Sequence, residues 1–406
     1  MGTDRAPTTT SARRGWGQRV LDALPNSVWL PLVMALIGAS VFVGVRVAWA
    51  GEGDVSRFVA AGSVFTTPSE APPNLHVNSG FGYDGQLFYR LALDPLEVDT
   101  VANGIRIDLP IRTQRIAYPM LAYVASGGTD AAVPWALVIV NVVGLAALGG
   151  LGGLVAKQSG RHAIYGLWFA VFFGYVFTLS RDLSEITEAA FVLGGLLALR
   201  RERWGLAAVL LSGAVLTREQ ALLVVGAVGL CRVVEMVRSR VRPGAQDVAW
   251  IAPMGAFVAW QAYCRIDTGV VPMFEAGEGD QGITFPFADL IDAVPGLIRQ
   301  LDSGTGLLHL GEVVVMLGII GLAIVALRST TAPVQERVAF VLLVVFMFTV
   351  ATGTNVWHER FDLRPLADLY VVAGLVLFGT RLPVVAPGVL VAGSTAAAAA
   401  LRVSTV

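Results

Sequence analysis

The sequence predicts an all-α protein, a polytopic bundle of about eleven transmembrane helices with the N-terminus inside. Three observations predict it. Of 406 residues, 55% are hydrophobic and only 15% are charged, whereas soluble domains carry about a quarter charged residues. Apolar runs long enough to cross a bilayer recur along the chain. Basic residues gather in alternate connections between these runs, as the positive-inside rule requires of cytoplasmic loops.

The N-terminal segment, residues 1–27, is polar and rich in arginine, and we expect it to be cytoplasmic. It contains apolar residues at helical spacing, which predict a short interfacial helix: Trp16, Val20, Leu21 and Leu24. The remainder, residues 28–406, is predicted to form a single transmembrane domain. The predicted spans are 28–49, 132–155, 163–179, 184–199, 204–216, 219–236, 248–264, 307–327, 338–354, 365–379 and 384–401. Whether the two runs on either side of Thr217 form one span or two is open.

The connections predicted to lie inside are all basic. They carry Lys157, Arg161, Arg200, Arg201, Arg203, Arg232, Arg238, Arg240, Arg242, Arg328, Arg337 and Arg381. Two of the predicted outer loops are long, 51–130 and 265–306. The first contains a stretch, Tyr83–Leu93, that is predicted to form an amphipathic helix lying on the membrane. The second contains apolar residues at helical spacing between Phe285 and Leu301, which again predict an interfacial helix.

Most of the other ionisable residues fall in the five predicted outer connections, on one face. They include Asp84, Arg112, Arg115, Arg181, Asp182, Glu185, Glu188, Arg218, Glu219, Arg265, Asp267, His358, Glu359, Arg360, Asp362 and Arg364. Charges near a bilayer are costly and usually face a cavity or a partner. Their common side therefore predicts a single site at the outer leaflet.

Asp84 is the candidate reactive group, because it lies among aromatic residues in the segment 81–90, Phe-Gly-Tyr-Asp-Gly-Gln-Leu-Phe-Tyr-Arg. A carboxylate there can deprotonate an acceptor hydroxyl. The planar fork of arginine suits phosphate, and the candidates to stabilise a leaving phosphate are Arg115, Arg218 and the Arg360/Arg364 pair. The alternative for each charged pair is an ion pair at a helix end, and for Asp84 it is a turn or cap residue.

Several functions lack a sequence signal. The net charge of −1 gives no basic surface for nucleic acid. The glycines within 149–153 lie in a span and lack the lysine of a nucleotide-binding loop, so they indicate close helix packing. The four histidines have no zinc-ligand spacing. Cys231 and Cys264 fall near opposite ends of neighbouring spans, which disfavours a disulfide.

Two motifs carry a resemblance. Residues 81–95, which include Tyr83-Asp84-Gly85-Gln86, and residues 112–119, Arg-Thr-Gln-Arg-Ile-Ala-Tyr-Pro, resemble a bacterial branch of the GT-C superfamily of integral membrane glycosyltransferases linked to cell-surface glycopolymer formation. The segment Leu216–Glu219 fits the same branch. The first motif is also similar to the Trp-Asp-Gly motif of the mannosyltransferases that build glycosylphosphatidylinositol anchors, with Tyr83 in place of the tryptophan.

The resemblance implies an inverting transfer of sugar from a polyprenyl-phosphate donor to a glycan, glycolipid or protein, at the outer face of the plasma membrane, with Asp84 as catalytic base. Taken together with the charged and aromatic residues of the outer loops, it leads us to expect a substrate site formed by Tyr83, Gln86, Tyr89, Arg112, Arg115, Tyr118, Arg181, Asp182, Glu185, Arg218, Glu219, His358 and Arg360. Within it, Arg115 and Arg218 would bind the phosphate and the three tyrosines would stack on sugars. Some relatives use a divalent cation, but the sequence shows no ligand set for one.

We predict no counterpart here of the C-terminal periplasmic domain of larger superfamily members, so we expect acceptor recognition to fall to the loops or to an envelope-assembly partner. Two other functions stay open. The same arginines suit a transporter or flippase of a lipid-linked or anionic substrate, although no internal repeat is evident. A scaffold in an envelope-assembly complex would also explain the missing soluble domain.

Overall fold

A computed structural model describes residues 21–275, 285–349, 356–357 and 363–404. Helices dominate this part of the chain, and its only sheets are two pairs of two-residue strands. The predicted all-α fold class is therefore confirmed at this level.

Five helical stretches of the described residues are long and apolar enough to cross a bilayer: Trp29–Trp49, Asp130–Gln158, Glu219–Ser239, Gly304–Ala326 and Val385–Val403. We name the α-helices within them α1 (Trp29–Trp49), α4 (Val133–Gln158), α8 (Leu222–Ser239), α11 (Gly304–Ala326) and α14 (Val385–Ser404). They coincide with five of the predicted spans, and they are the helices of a membrane protein.

The other helices are shorter or more polar. They are α2 (Gly85–Leu93), α3 (Ala117–Ser126), α5 (Phe173–Ser180), α6 (Glu185–Arg200), α7 (Trp204–Thr217), α9 (Val248–Thr268), α10 (Ala288–Arg299), α12 (Val334–Thr349) and α13 (Ala367–Phe378). Every residue of α13 is buried. Its twelve residues rise only about 18 Å, less than the ~30 Å hydrocarbon core. The predicted span 365–379 therefore corresponds to a short helix that is enclosed by other parts of the protein.

The predicted span 163–179 is broken. A 3₁₀ helix, Ala163–Ala170, and α5 meet at an angle of 56°. Gly166 in the first segment contacts the backbone of α4 so closely that an added Cβ would lie 2.1 Å from the amide nitrogen of Gly153. In the same way, a Cβ on Gly149 would lie 2.5 Å from the carbonyl oxygen of Pro31 in α1. The prediction that the glycines within 149–153 serve helix packing is confirmed.

The chain also breaks at Arg218, where α7 ends and the backbone is extended, with φ −152° and ψ 138°. A 3₁₀ turn, Glu219–Ala221, then leads into α8. The two runs around Thr217 therefore form two helices. Arg218 lies between the two helices, and its side chain contacts Glu185 and Glu188 of α6.

The first long loop is folded against the helices. It contains the strands β1 (Ala61–Gly62), β2 (Val77–Asn78), β3 (Val101–Ala102) and β4 (Ile105–Arg106), with β1 and β2 parallel and β3 and β4 antiparallel. The helix predicted here exists as α2, but its predicted place on the membrane surface is wrong. All nine of its residues are buried, because the strands cover one side of α2 while α3 and α4 cover another.

The second predicted interfacial helix coincides with α10. In this helix, Leu297 is buried, whereas Ile291 and Ile298 are more than half exposed. Phe287, at the start of α10, donates its amide hydrogen to the carbonyl oxygen of Phe348, 2.8 Å away, which fastens α10 to α12.

The connections predicted to lie inside meet at one end of the bundle. Arg200 forms a bidentate ion pair with Glu336 on α12, with both N···O distances 2.6 Å. Arg161 donates to the carbonyl oxygens of Phe378, Thr380 and Leu382 at 2.6 to 3.0 Å. The first long loop and the connections around residues 181, 218 and 364 meet at the other end, where the charged residues described next are gathered.

Candidate functional site

Glycines bring Asp84 to its position. An added Cβ on Gly85 would lie 2.3 Å from the carbonyl oxygen of Arg181 and 2.6 Å from that of Val59. Gly82 has a φ of +67°, a left-handed conformation that favours glycine. The first turn of α2 therefore lies directly on the backbone of the α5–α6 connection, which places Asp84 beside that connection.

Asp84 lies at the N-cap position of α2 but makes no capping hydrogen bond. Its carboxylate instead forms a close ion pair with Arg112, which also binds Asp108 at 2.8 Å. The guanidinium of Arg364 lies 3.6 Å from the other carboxylate oxygen of Asp84. The alternative of a cap residue is therefore wrong for Asp84, since the side chain is directed at two arginines.

Electrostatics keep Asp84 ionised. Burial alone would raise the pKa of its carboxyl group, but the guanidinium groups of Arg112, Arg364 and Arg115 outweigh burial and lower the pKa to about 2. The side chain is 21% exposed, so it remains accessible from outside the protein.

Glu185, at the start of α6, joins two further arginines. Its carboxylate accepts hydrogen bonds from Arg218 at 2.6 Å and from Arg364 at close range, and Thr178 donates to it at 3.1 Å. Arg218 also contacts Glu188 at 3.3 Å. Arg364 therefore bridges Asp84 and Glu185, which come from the first loop and from α6. Gly174 permits this, because a Cβ there would lie 2.7 Å from the Cα of Arg364.

Arg115 and Glu219 form a bidentate ion pair across loops, with N···O distances of 3.0 and 2.6 Å. The pair connects the chain just before α3 to the 3₁₀ turn that precedes α8. Arg115 also lowers the pKa of Asp84, so the pair belongs to the same electrostatic group.

We call this group the arginine–carboxylate cluster: Asp84, Arg112, Arg115, Glu185, Glu188, Arg218, Glu219 and Arg364. It contains four guanidinium and four carboxylate groups. Phosphate could bind here by replacing a carboxylate at one of the guanidinium groups, which would leave that carboxylate available as a base.

Tyr83 forms an aromatic edge of the cluster. Its hydroxyl accepts a hydrogen bond from Arg364 at 3.2 Å, and its ring packs edge-on against Phe177 with centroids 5.2 Å apart. Burial raises the pKa of Tyr83 to about 12. The guanidinium of Arg181 lies 5.9 Å from the centre of the same ring, so the predicted residues Tyr83 and Arg181 both adjoin the cluster.

Three predicted substrate residues have structural contacts instead. Gln86 is 2% exposed, and its side-chain oxygen accepts from the amide of Gly62 at 3.1 Å and from Thr66 at 3.0 Å. Tyr89 and Tyr118 are fully buried. The hydroxyl of Tyr118 donates to the carbonyl oxygen of Leu137 at 3.0 Å. The prediction that Tyr89 and Tyr118 stack on sugars has no exposed ring to support it.

Asp182 is separate from the cluster. It is fully buried with a left-handed φ of 48°, and within the described residues its carboxylate oxygens have no hydrogen-bond partner. Burial raises the pKa of Asp182 well above its ordinary value, and Arg46 of α1 counteracts this only in part. Two other predicted residues, His358 and Arg360, lie outside the described residues.

The predicted set omitted Arg364, Glu188 and Asp368. The sequence indicates Arg364 only as a phosphate ligand alongside Arg360, yet in the structure it contacts Asp84, Glu185 and Tyr83. Asp368 is 1% exposed and interacts with Glu188. The signal was present in the sequence, because acidic residues inside apolar helices mark functional or paired positions.

Comparisons with models of known protein families, with curated proteins and with solved structures found no match to this chain. Within the described residues, no group of three or more histidine, cysteine, aspartate or glutamate side chains could hold a metal ion.

Proposed function

We propose that the protein is a membrane glycosyltransferase that transfers a sugar from a polyprenyl-phosphate donor to a hydroxyl of an envelope glycan, glycolipid or protein. The supporting observation is the position of Asp84, a partly exposed carboxylate held by Arg112 and Arg364 in a cluster drawn from four separate segments. The proposal includes the eleven-span topology, with the cluster at the outer face of the plasma membrane. It also places His358 and Arg360 at the donor or acceptor.

The reaction is a single displacement at the anomeric carbon. Asp84 takes the proton of the acceptor hydroxyl, the acceptor oxygen bonds to the sugar carbon, and the bond from that carbon to the phosphate oxygen breaks. The polyprenyl phosphate leaves with the electron pair, and Arg115 and Arg218 stabilise its negative charge. Inversion at the sugar carbon follows from the direct displacement.

The free protein holds Asp84 in an unreactive form, because a carboxyl group with a pKa of about 2 is a weak base. A donor phosphate bound at Arg115, one of the guanidinium groups that lower this pKa, would neutralise part of that positive charge. Donor binding would therefore raise the basicity of Asp84. This couples deprotonation of the acceptor to the presence of the donor.

The test is Asp84→Asn, measured as transfer of radiolabelled sugar from polyprenyl phosphate to an extractable acceptor in membranes. Loss of a general base costs about 10²–10⁴-fold in rate, so transfer should fall by at least about a hundredfold. Asp108→Asn is the matched control, since Asp108 binds the same Arg112 at 2.8 Å. Full activity of Asp84→Asn, at normal expression, would remove the base assignment.

One observation favours a second function, a transporter or flippase of a lipid-linked anionic substrate. The broken pair Ala163–Ala170 and α5, bent by 56°, resembles the discontinuous helices of transporters. A flippase would move intact labelled lipid between the leaflets of vesicles and would leave the sugar on its carrier. Such movement without sugar transfer would favour this function over the first.

A further inference from the structure

A partly open groove of about 550 Å³ lies between α3, α4, α6 and α7, away from the arginine–carboxylate cluster. This volume falls within the usual range for ligand pockets, ~300–1,000 Å³. Along α6 the groove follows one helical stripe, which runs through Thr187, Phe191, Gly194 and Ala198 to Arg201. The lining is apolar except near its ends.

The groove has the length of a lipid chain. Thr187 and Arg201 are 14 positions apart, and at 1.5 Å per residue they are separated by about 21 Å along the helix. The hydrocarbon region of one leaflet is about 15 Å deep, half of the ~30 Å core. Gly194 and Leu210 both line the groove, and a Cβ on Gly194 would lie 3.2 Å from the side chain of Leu210, so the glycine lets α7 pack closely against α6.

The charge at the groove lies at one end. Arg201 and Arg203 both line it, both are exposed, and neither forms an ion pair with any residue that the structure describes. A phosphate group attracts such a pair, with about 1 kcal/mol for each basic residue near an anionic headgroup.

At the Thr187 end of the groove, a bound ligand does not contact the arginine–carboxylate cluster. Glu185 and Thr187 are two positions apart, which places them about 200° apart around α6. Glu185 is directed at Arg218 and Arg364, whereas Thr187 lines the groove. A lipid chain in the groove therefore lies on the face of α6 that is turned away from the cluster. Its phosphate contacts Arg201 and Arg203 rather than the cluster.

We propose that this groove binds one acyl chain of an anionic membrane phospholipid whose phosphate contacts Arg201 and Arg203. Its phosphate would lie at the end of the bundle opposite the cluster, and its chain would extend along α6 towards Thr187. This inference does not depend on glycosyl transfer.

The experiment uses the purified full chain in phosphatidylcholine vesicles that contain phosphatidylglycerol with a photoactivatable diazirine in one acyl chain. Crosslinks mapped by mass spectrometry should fall on groove residues such as Val143 and Phe191. The double substitution Arg201→Ala and Arg203→Ala should lower groove labelling about tenfold or more, from two lost contacts of about 1 kcal/mol each. The matched control is Arg238→Ala with Arg240→Ala, which removes two exposed arginines outside the groove.

Blocking the groove gives a second readout. Ala147→Trp and Ala190→Trp should abolish labelling, whereas Val209→Trp, at an exposed position outside the groove, should not. Equal labelling by a phosphatidylcholine probe, or labelling unchanged by the arginine double substitution, would overturn the proposal. Labelling by a diazirine-bearing polyprenyl phosphate that the arginine substitutions leave unchanged would overturn it in favour of a donor-tail site.

Discussion

At the scale of single residues, the notable property of Asp84 is that its charge is fully compensated before any substrate arrives. Arg112 and Arg364 both contact its carboxylate. Because the pKa of about 2 differs from that of the unfolded chain, the pairing contributes to the free energy of unfolding. The same pairing that suppresses the basicity of Asp84 also stabilises the folded first loop, so its role in stability can be measured without knowing the substrate.

The first prediction is a pH-dependent contribution of Asp84 to stability. The folded pKa of about 2 lies below the ordinary value of 3.8. The contribution should therefore be fully present above about pH 5, and it should be lost as the pH falls through 2. A shift of this size corresponds to roughly 2 kcal/mol, and about half of it should remain near pH 3.

Thermal unfolding of purified wild type and Asp84→Asn in detergent, at pH 7 and pH 3, measures this contribution, because asparagine does not titrate. The stability difference between the two proteins should narrow by about half at pH 3. A difference that is the same at both pH values would mean that Arg112 and Arg364 do not hold the ionised carboxylate.

At the scale of elements, the site depends on how closely α2 approaches the connection between α5 and α6. Gly85 provides that approach, since its Cα lies against the carbonyl oxygens of Arg181 and Val59. The pair Asp84-Gly85 in the motif therefore combines a charged side chain with a residue small enough for close backbone packing. The aspartate carries the charge, and the glycine lets the helix that follows it reach the Arg181 backbone.

The second prediction is that Gly85→Ala separates α2 from this connection. A methyl group 2.3 Å from a backbone oxygen forces the chain to move, and overpacking of this kind typically costs 1–3 kcal/mol. The melting temperature should fall, and Asp84 should lose its alignment with Arg364.

Gly226→Ala is the control, because nothing lies within 4 Å of a Cβ there. In the interior of α8 it should be neutral or stabilising by about 0.5–1 kcal/mol. Equal melting temperatures for the two variants would contradict the close approach.

The third prediction concerns the Arg115–Glu219 pair, which joins the first loop to the start of α8. Glu219→Ala leaves Arg115 with a partly buried, uncompensated charge, so it should destabilise the protein by about 2 kcal/mol. The double variant Arg115→Ala with Glu219→Ala should recover part of that loss. A double-mutant cycle should give a coupling of about 1–3 kcal/mol.

The exposed pair Arg57–Glu52, in which the Glu52 side chain is 72% exposed, provides the comparison. Its coupling should lie below about 1 kcal/mol, as for most surface ion pairs. Similar couplings for the two pairs would show that Arg115 and Glu219 are as solvated as a surface pair and do not fasten the loop.

Much of the site could be predicted from the order of the helices. Alternating basic connections grouped Asp84, Arg112, Arg115, Glu185, Arg218 and Glu219 at one end, and the structure brings these residues together. The roles of Gln86, Tyr89 and Tyr118 could not be predicted in this way. A polar or aromatic residue in a long loop looks solvent-facing until the loop is known to fold back. Here the loop folds so that Gln86 contacts β1 and Tyr118 contacts α4, and all three residues are buried.

At the scale of the whole molecule, the two sets of connections form two ends. At one end, Arg161 donates to the carbonyl oxygen of Phe378 at the end of α13, and Arg200 pairs with Glu336 of α12. The arginine–carboxylate cluster forms at the other end. Each end is held by contacts between segments far apart in the chain. The division of the loops between the two ends follows from the fold itself. The assignment of the cluster to the outer face is the remaining, proposed step.

The fourth prediction tests that assignment by cysteine labelling. In a Cys231→Ala and Cys264→Ala background, Asn103→Cys places a thiol at the exposed turn between β3 and β4, on the side of the cluster, and Ser239→Cys places one at the opposite end, where α8 ends. In spheroplasts of a bacterial host, a membrane-impermeant maleimide should label the thiol at 103 and leave the thiol at 239 unlabelled until the membrane is permeabilised. Labelling of both variants after permeabilisation is the control for accessibility.

The reverse labelling pattern would put the cluster on the cytoplasmic side, where an outer-leaflet donor could not reach Asp84. Labelling of both thiols in intact spheroplasts would contradict the division of the bundle into two faces separated by a bilayer, because the connections that meet at each end could then not lie on opposite sides of the membrane.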